Sequence, residues 1–203
     1  MTRAAPRLCL ATPPLADAAA FASAMNAALA AGDVASLLIR FAEADERANE
    51  AIVRALAPAA QDKGVAVLVD AAPNVALRAG ADGAHLSGCG EALVDAVKKL
   101  SPRYIVGAGD LETRDDAMRA GEAGVDYVMF SDADRDALIE RVAWWAELFN
   151  TPCVARAETL AEVAPLVEAG ADFVLLDDVV WSDARGPAAA MVEAQAKLGG
   201  EQP

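Results

Sequence analysis

Carboxylates close several apolar runs of this chain. Asp70 ends VAVLVD, Asp110 ends YIVGAGD, Asp132 ends YVMFSD, and Asp177 follows FVLL, with Glu43 and Glu158 just beyond two further runs. Carboxylates gathered in one place repel one another, so some must rise in pKa or share a cation. Oxygen ligands of this kind suit Mg²⁺, which keeps several waters and bridges to substrate phosphates. Asp70 and Asp132 are the metal candidates, and Mg²⁺ is the one cofactor the residues suggest. The alternative is that each Asp caps the helix behind its run.

Arg40 stands inside the otherwise apolar LLIRFA, and Arg156 stands inside CVARAE. A guanidinium at such a place can hold an anion through paired donors, or can make an ion pair with one of the carboxylates. His85 is the only histidine. It is either a base near neutral pH or the donor of a hydrogen bond between interior layers. Ser87 and Ser131 have no readable His/Asp constellation, so a hydrolase triad is unsupported. Arg40, His85, Asp110, Ser131 and Arg156 are the candidate substrate-binding residues, and no catalytic residue can be assigned. Gly107-Ala108-Gly109 resembles half of a phosphate loop without the rest of the fingerprint.

These residues need elements to hold them. Apolar runs recur at 8–12, 35–41, 65–70, 83–87, 104–110, 127–132, 152–157 and 173–181. They do not alternate polar and apolar, which suits strands covered on both faces. Helical segments are expected at 15–31, 45–63, 74–80, 91–100, 113–123, 134–149, 159–170 and 187–198. Asp45, Asn74, Thr113, Asp134 and Thr159 stand where N-caps belong, and Glu162 follows Thr159 at capping-box spacing.

An internal repeat supports the count. Ala-Gly-Asp-Val starts at 31, and Ala-Gly-x-Asp starts at 79, 123 and 169. Each copy marks a helix end, where Gly accepts a left-handed backbone, and the entry to an even-numbered strand. A spacing near 46 residues means two βα units per period and eight units in all. Eight alternating units predict an α/β chain folded as a compact single-domain (β/α)₈ TIM barrel over residues 1–203, with a fraying tail at 199–203. The runs then end at one mouth, where such barrels bind small molecules.

Composition narrows the partners. Of 203 residues 55% are hydrophobic, too many for a disordered chain. The formal charge of −14 repels nucleic acid and anionic membranes. No secretory signal or membrane span is readable. Three widely spaced cysteines, Cys9, Cys89 and Cys153, argue against disulfides or structural zinc and for a cytoplasmic home. A small-molecule ligand at the mouth is the expected partner, with no nucleic acid and no membrane. The sequence leaves a homo-oligomer open and does not give the oligomeric state.

Several segments resemble the thiamine phosphate synthase family, which includes the TenI-type thiazole tautomerases. They are Ala81-Asp82-Gly83-Ala84-His85-Leu86, Tyr104-Ile105-Val106-Gly107, Ala123-Gly124-Val125-Asp126-Tyr127-Val128, Pro152-Cys153-Val154-Ala155 and Ala169-Gly170-Ala171-Asp172. The resemblance implies a (β/α)₈ barrel and thiamine metabolism. In its synthase members it implies Mg²⁺-assisted coupling of hydroxymethylpyrimidine pyrophosphate to thiazole phosphate. Pyrophosphate ionises away and the thiazole nitrogen captures the pyrimidine cation.

The family's functional motifs are altered here. Of Gln-x-Arg-Glu-Lys on strand two, only Arg40 stands. Asp70-Ala71 replaces Asn-Asp after strand three. After strand four His85 remains, but Ser87, Gly88, Gly90 and Glu91 replace the rest of His-x-Gly-Gln-x-Asp. The strand-five Ser gives way near Gly109. Ser131-Asp132-Ala133-Asp134 replaces the Gly-Pro and Thr-Lys segments, and Ala157-Glu158 replaces the Gly-Gly phosphate motif. Each lost donor costs on the order of 10²–10³ in rate. Three readings stay open: a family enzyme with its synthase activity in doubt, a non-catalytic relative that binds a thiamine-related ligand or a partner protein, and another reaction on the same barrel. An acidic mouth should bind phosphate weakly without Mg²⁺ and accept a cationic ligand such as a thiazolium.

Overall fold

The structure is a computed structural model that describes residues 4–43 and 45–199. Eight parallel strands close into a barrel in sequence order. They are β1 (Arg7–Ala11), β2 (Val34–Ile39), β3 (Ala66–Asp70), β4 (Gly83–Ser87), β5 (Ile105–Gly109), β6 (Tyr127–Phe130), β7 (Cys153–Ala157) and β8 (Phe173–Leu176). Around them run α1 (Ala19–Ala31), α2 (Glu46–Gln61), α3 (Pro73–Ala79), α4 (Glu91–Leu100), α5 (Arg114–Glu122), α6 (Arg135–Leu148), α7 (Val163–Glu168), α8 (Asp178–Trp181) and α9 (Pro187–Leu198). The (β/α)₈ barrel expected from the repeat is the fold observed.

Most of the buried apolar residues lie between the sheet and the helices, in one continuous core that includes Trp145, Phe130 and Leu8. A smaller cluster fills part of the barrel itself: Cys9, Ala11, Leu38, Leu68, Met129, Val154 and Leu175. Strand residues two apart share a face, so these positions fix the inward register of β1, β2, β3, β6, β7 and β8.

The repeat has a second function that its sequence does not disclose. The carboxylates of Asp82, Asp126 and Asp172 accept the backbone N–H of Val67, Val106 and Cys153 at 2.7–2.8 Å. Each ties the entry of an even strand to its odd neighbour. Asp33, in the first copy, instead takes the Arg7 guanidinium at 2.7 Å. The glycines differ in the same way. Gly80, Gly124 and Gly170 have φ of 83°, 88° and 99°, as a left-handed helix end requires, whereas Gly32 is extended at −157°.

Three local expectations need correction. The run 173–181 is not one strand, because β8 stops at Leu176 and α8 follows. Asp177 turns into the barrel, and the Trp181 indole N–H donates to the Ala11 carbonyl at 2.7 Å, so the chain must coil back over the mouth. Asn74 is not an N-cap: Ala72 holds that place, Pro73 starts α3, and the Asn74 amide donates to Glu46 instead. Thr159 makes no capping hydrogen bond. Glu162 accepts from the Glu158 N–H at 2.7 Å and pairs with Arg135 at 2.6 Å. The full capping box forms at Thr113 and Asp116, and Asp45 and Asp134 cap as expected. Of the tail 199–203, Gly199 closes α9 and the rest lies outside the described residues.

Candidate functional site

The upper inward positions of β2, β7 and β8 place Arg40, Arg156 and Asp177 together at the mouth. Asp177 is buried, with 4% of its side chain exposed, and both arginines turn to it. Arg156 donates from Nε at 3.0 Å and from Nη2 at 2.9 Å to the same Oδ2. Arg40 Nη1 lies 3.4 Å from that oxygen, and Arg40 Nη2 lies 3.9 Å from Asp178. The Arg40 Nε donates to the Thr12 carbonyl, and the Arg40 N–H donates to the Thr12 hydroxyl at 3.0 Å. Two guanidinia therefore share one buried carboxylate, which engages Nη1 of Arg40 and both Nε and Nη2 of Arg156.

Across the mouth stand Asp70, Ser87 and Asp110, at the ends of β3, β4 and β5. The Ser87 hydroxyl donates to Asp110 Oδ2 at 2.7 Å. Burial pushes the Asp70 carboxyl above its usual range. Arg40 pulls it back, and Asp110 raises it further. Ala71 and Asp110 both have φ of 51°, in the left-handed region. Aspartate tolerates that conformation and alanine resists it, so the backbone on both sides of β4 is held in a strained form at the mouth.

His85 lies one layer below. It is 3% exposed, its Nδ1 is 2.9 Å from the Tyr127 hydroxyl, and the two rings stack with centroids 5.7 Å apart. Burial lowers its pKa to about 4, so the ring is neutral at pH 7. The Gly107-Ala108-Gly109 segment belongs to β5 and is no phosphate loop. A Cβ on Gly107 would sit 2.0 Å from the Tyr127 ring, and one on Gly109 would sit 2.5 Å from His85 Nε2. The two glycines are the clearance through which tyrosine and histidine meet.

Asp132 is turned elsewhere. Its Oδ2 pairs with Arg141 at 2.9 Å, and its Oδ1 accepts the Asp134 N–H at 2.9 Å. Ser131 is half-buried at the end of β6 beside it. Among the described residues no three His, Cys, Asp or Glu side chains are grouped closely enough to hold a metal ion by themselves. The structure thus brings Arg40, Arg156 and Asp177 into direct contact, sets Asp70 and Asp110 within mutual electrostatic reach above His85, and does not join Asp132 to Asp70. Asp70 also lines a cavity of about 430 Å³ of mixed character, with Glu43, Glu46, Asn49 and Asn74 beside Phe41 and Val75.

Neither Thr12, which ends the first apolar run, nor Tyr127 is among the candidate residues read from the sequence. Period-two counting back from the apolar Met129 would have turned Tyr127 inward. Nothing in the sequence signals that Thr12 takes Arg40. The described helices are too short or too polar to cross a membrane.

Comparisons with known proteins bear on the family and the fold. Residues 8–177 match the family model described as thiamine monophosphate synthase. The thiamine-phosphate synthase of Rhodospirillum centenum is 38% identical over 92% of this chain and 95% of its own. That of Hyphomonas neptunium is 38% identical over 91% and 90%. Among solved structures, thiamine phosphate pyrophosphorylase from Pyrococcus furiosus superposes with a TM-score of 0.82 at 22% identity, covering 95% of both chains. A 3-hexulose-6-phosphate synthase superposes at 0.72 and 16% identity, over 94% of this chain and 99% of its own. The barrel, the mouth at its strand ends and the length of the sequence match lead to one assignment: this chain belongs to the thiamine monophosphate synthase family.

Proposed function

We propose that this protein acts in thiamine metabolism as a synthase-type barrel that binds a thiamine-related ligand at its mouth and couples diphosphate and phosphate precursors poorly. The observation that carries this reading is the Arg40–Asp177–Arg156 cluster. In a diphosphate site, arginines must face the substrate and the charge that develops on the leaving group. Here both are drawn to a carboxylate that is itself 4% exposed. Asp70, Asp110 and the exposed Asp178 add negative charge around them. The mouth is thus better suited to a cationic ring, such as a thiazolium, than to a free diphosphate.

Mg²⁺ is the cation the family implies. Its donor chemistry fits Asp70 and Asp110, since Mg²⁺ takes one or two carboxylates and fills its shell with water and phosphate oxygens. Among the described residues no protein hydrogen-bond donor reaches the half-buried Asp70 carboxylate, which burial pushes up in pKa and Arg40 pulls back, so a cation beside it would further favour its charged form. When bound there, Mg²⁺ would supply positive charge to a diphosphate that the arginines do not. The chain's own part is to orient: Ser87 fixes Asp110 at 2.7 Å, and neutral His85 forms an uncharged floor beneath them.

The test is a coupling assay with both precursors and Mg²⁺. Turnover is expected to fall by at least about 10²–10³ below that of a family member with the strand-two lysine and the glycine phosphate motif. Calorimetry should show thiazole phosphate binding only weakly without Mg²⁺. Turnover at the ordinary family rate, or tight metal-free binding, overturns the proposal. Complete absence of turnover alongside ligand binding favours the second reading, a non-catalytic relative that serves as a regulator or scaffold. That reading rests on the same pairing of both arginines with Asp177.

A further inference from the structure

Among the described residues, the opposite end of the barrel is open. A cavity of about 300 Å³ enters between the strand starts and rises into the interior. Barrels of this kind usually fill their centre with layers of large side chains. Here two of the lower positions are alanines, Ala35 and Ala66, and both line the space. Tyr127 could have closed it, but its hydroxyl is committed to His85 across Gly107. The walls are apolar, with Leu38, Leu68, Val154 and Leu175 above and Met129, Tyr127 and Phe173 at the sides.

The charged and polar groups at this opening are already occupied. Arg7 holds Asp33 in a two-pronged ion pair at 2.7 and 3.0 Å. The Asp126 carboxylate accepts the Val106 N–H at 2.8 Å. Within the cavity Ser36 hydrogen-bonds to the Cys9 sulfur, and burial pushes the Cys9 thiol up to about 11, so it stays neutral. An ordered water needs two to four polar partners, and these walls offer few that are free. Water in such a space is poorly bonded and easily displaced by an apolar guest. The volume lies at the lower end of small-molecule sites. The Tyr127 and Phe173 rings with the Met129 thioether favour an aromatic guest over an aliphatic one.

We propose that the floor of the barrel is a second ligand site, separate from the charged mouth, and that it takes a small neutral aromatic molecule of one or two rings. The proposal does not depend on what the mouth binds.

The experiment uses the full chain and indole as the probe, with calorimetry and the methyl NMR signal of Met129. Saturable binding is expected, with a shift of the Met129 methyl. Ala66→Leu, which fills the cavity from β3, should weaken binding at least about tenfold. Ala35→Val fills less and should weaken it at least about threefold. It decides the matter if circular dichroism shows that the leucine variant does not fold. Inorganic diphosphate with Mg²⁺, a probe of the mouth, should not compete. The proposal is overturned by the absence of binding heat, by undiminished binding to a folded filling variant, or by competition from diphosphate.

Discussion

The mouth and the floor of this barrel are built by the same strands and have opposite chemistry. The change takes one step of two residues: Leu38 to Arg40, Leu68 to Asp70, Val154 to Arg156, and Leu175 to Asp177. Side chains two apart on a strand share a face, so each pair stacks inside the barrel with the apolar member below. The mouth is crowded with charge that satisfies itself. The floor is apolar and incompletely filled. Neither end carries most of the packing, because the large core lies outside the sheet, under the helices. A barrel stabilised from outside can leave its interior to binding, with charge at one end and space at the other.

His85 sits between the two ends and offers the largest test of their separation. Its folded-state pKa of about 4 lies below the unfolded value near 6.5. Within that window the unfolded chain binds the extra proton. Stability therefore falls as pH drops through it, by on the order of 3 kcal/mol. Asp70 works weakly in the other direction, since acid relieves a carboxyl whose pKa is raised. His85→Gln, which keeps a polar group beside Tyr127, should flatten the acid limb of the unfolding free energy measured by urea titration. Equal slopes in both proteins would remove His85 as the link between the layers.

The next test works at the mouth alone. Asp177→Asn leaves two guanidinia without their anion. A fully buried pair would lose more, but Arg40 and Arg156 keep 25% and 36% of their side chains exposed, so screening reduces the cost to about 2 kcal/mol. The same change frees both forks, and metal-free phosphate binding should tighten at least about tenfold. A variant that gains no phosphate affinity would mean that the carboxylate is not what withholds the arginines.

The smallest effect concerns the strained rim. Ala71 holds a left-handed backbone at φ 51°. Ala71→Gly should raise stability by about 0.5–1 kcal/mol, with relief of the Cβ clash partly offset by the greater freedom of the unfolded chain. Thermal unfolding checks this. A loss of stability would mean that the strain at the mouth is absent in solution.

Much of the scaffold was legible before folding. The four Ala-Gly repeats counted the βα units, and uninterrupted apolar runs gave parallel strands. Asp45, Thr113 and Asp134 marked helix starts because capping needs only neighbouring residues. The misreadings occurred where distant contacts intervened. DDVVW, read as strand, coils because Asp177 is claimed by arginines from β2 and β7 and Trp181 by a carbonyl of β1. Asn74 leaves its capping place for Glu46 on another helix.

The sequence by itself determined which runs build the barrel and which residues carry charge, because composition, repeats and capping are local properties of the chain. Only the tertiary structure decided which charge meets which: that Asp177 holds both arginines while Asp132 turns to Arg141, and that Gly107 and Gly109 clear space for Tyr127 and His85. Ion pairs and close packing are set by distances between strands far apart in sequence, and closing the barrel fixes all of those distances at once.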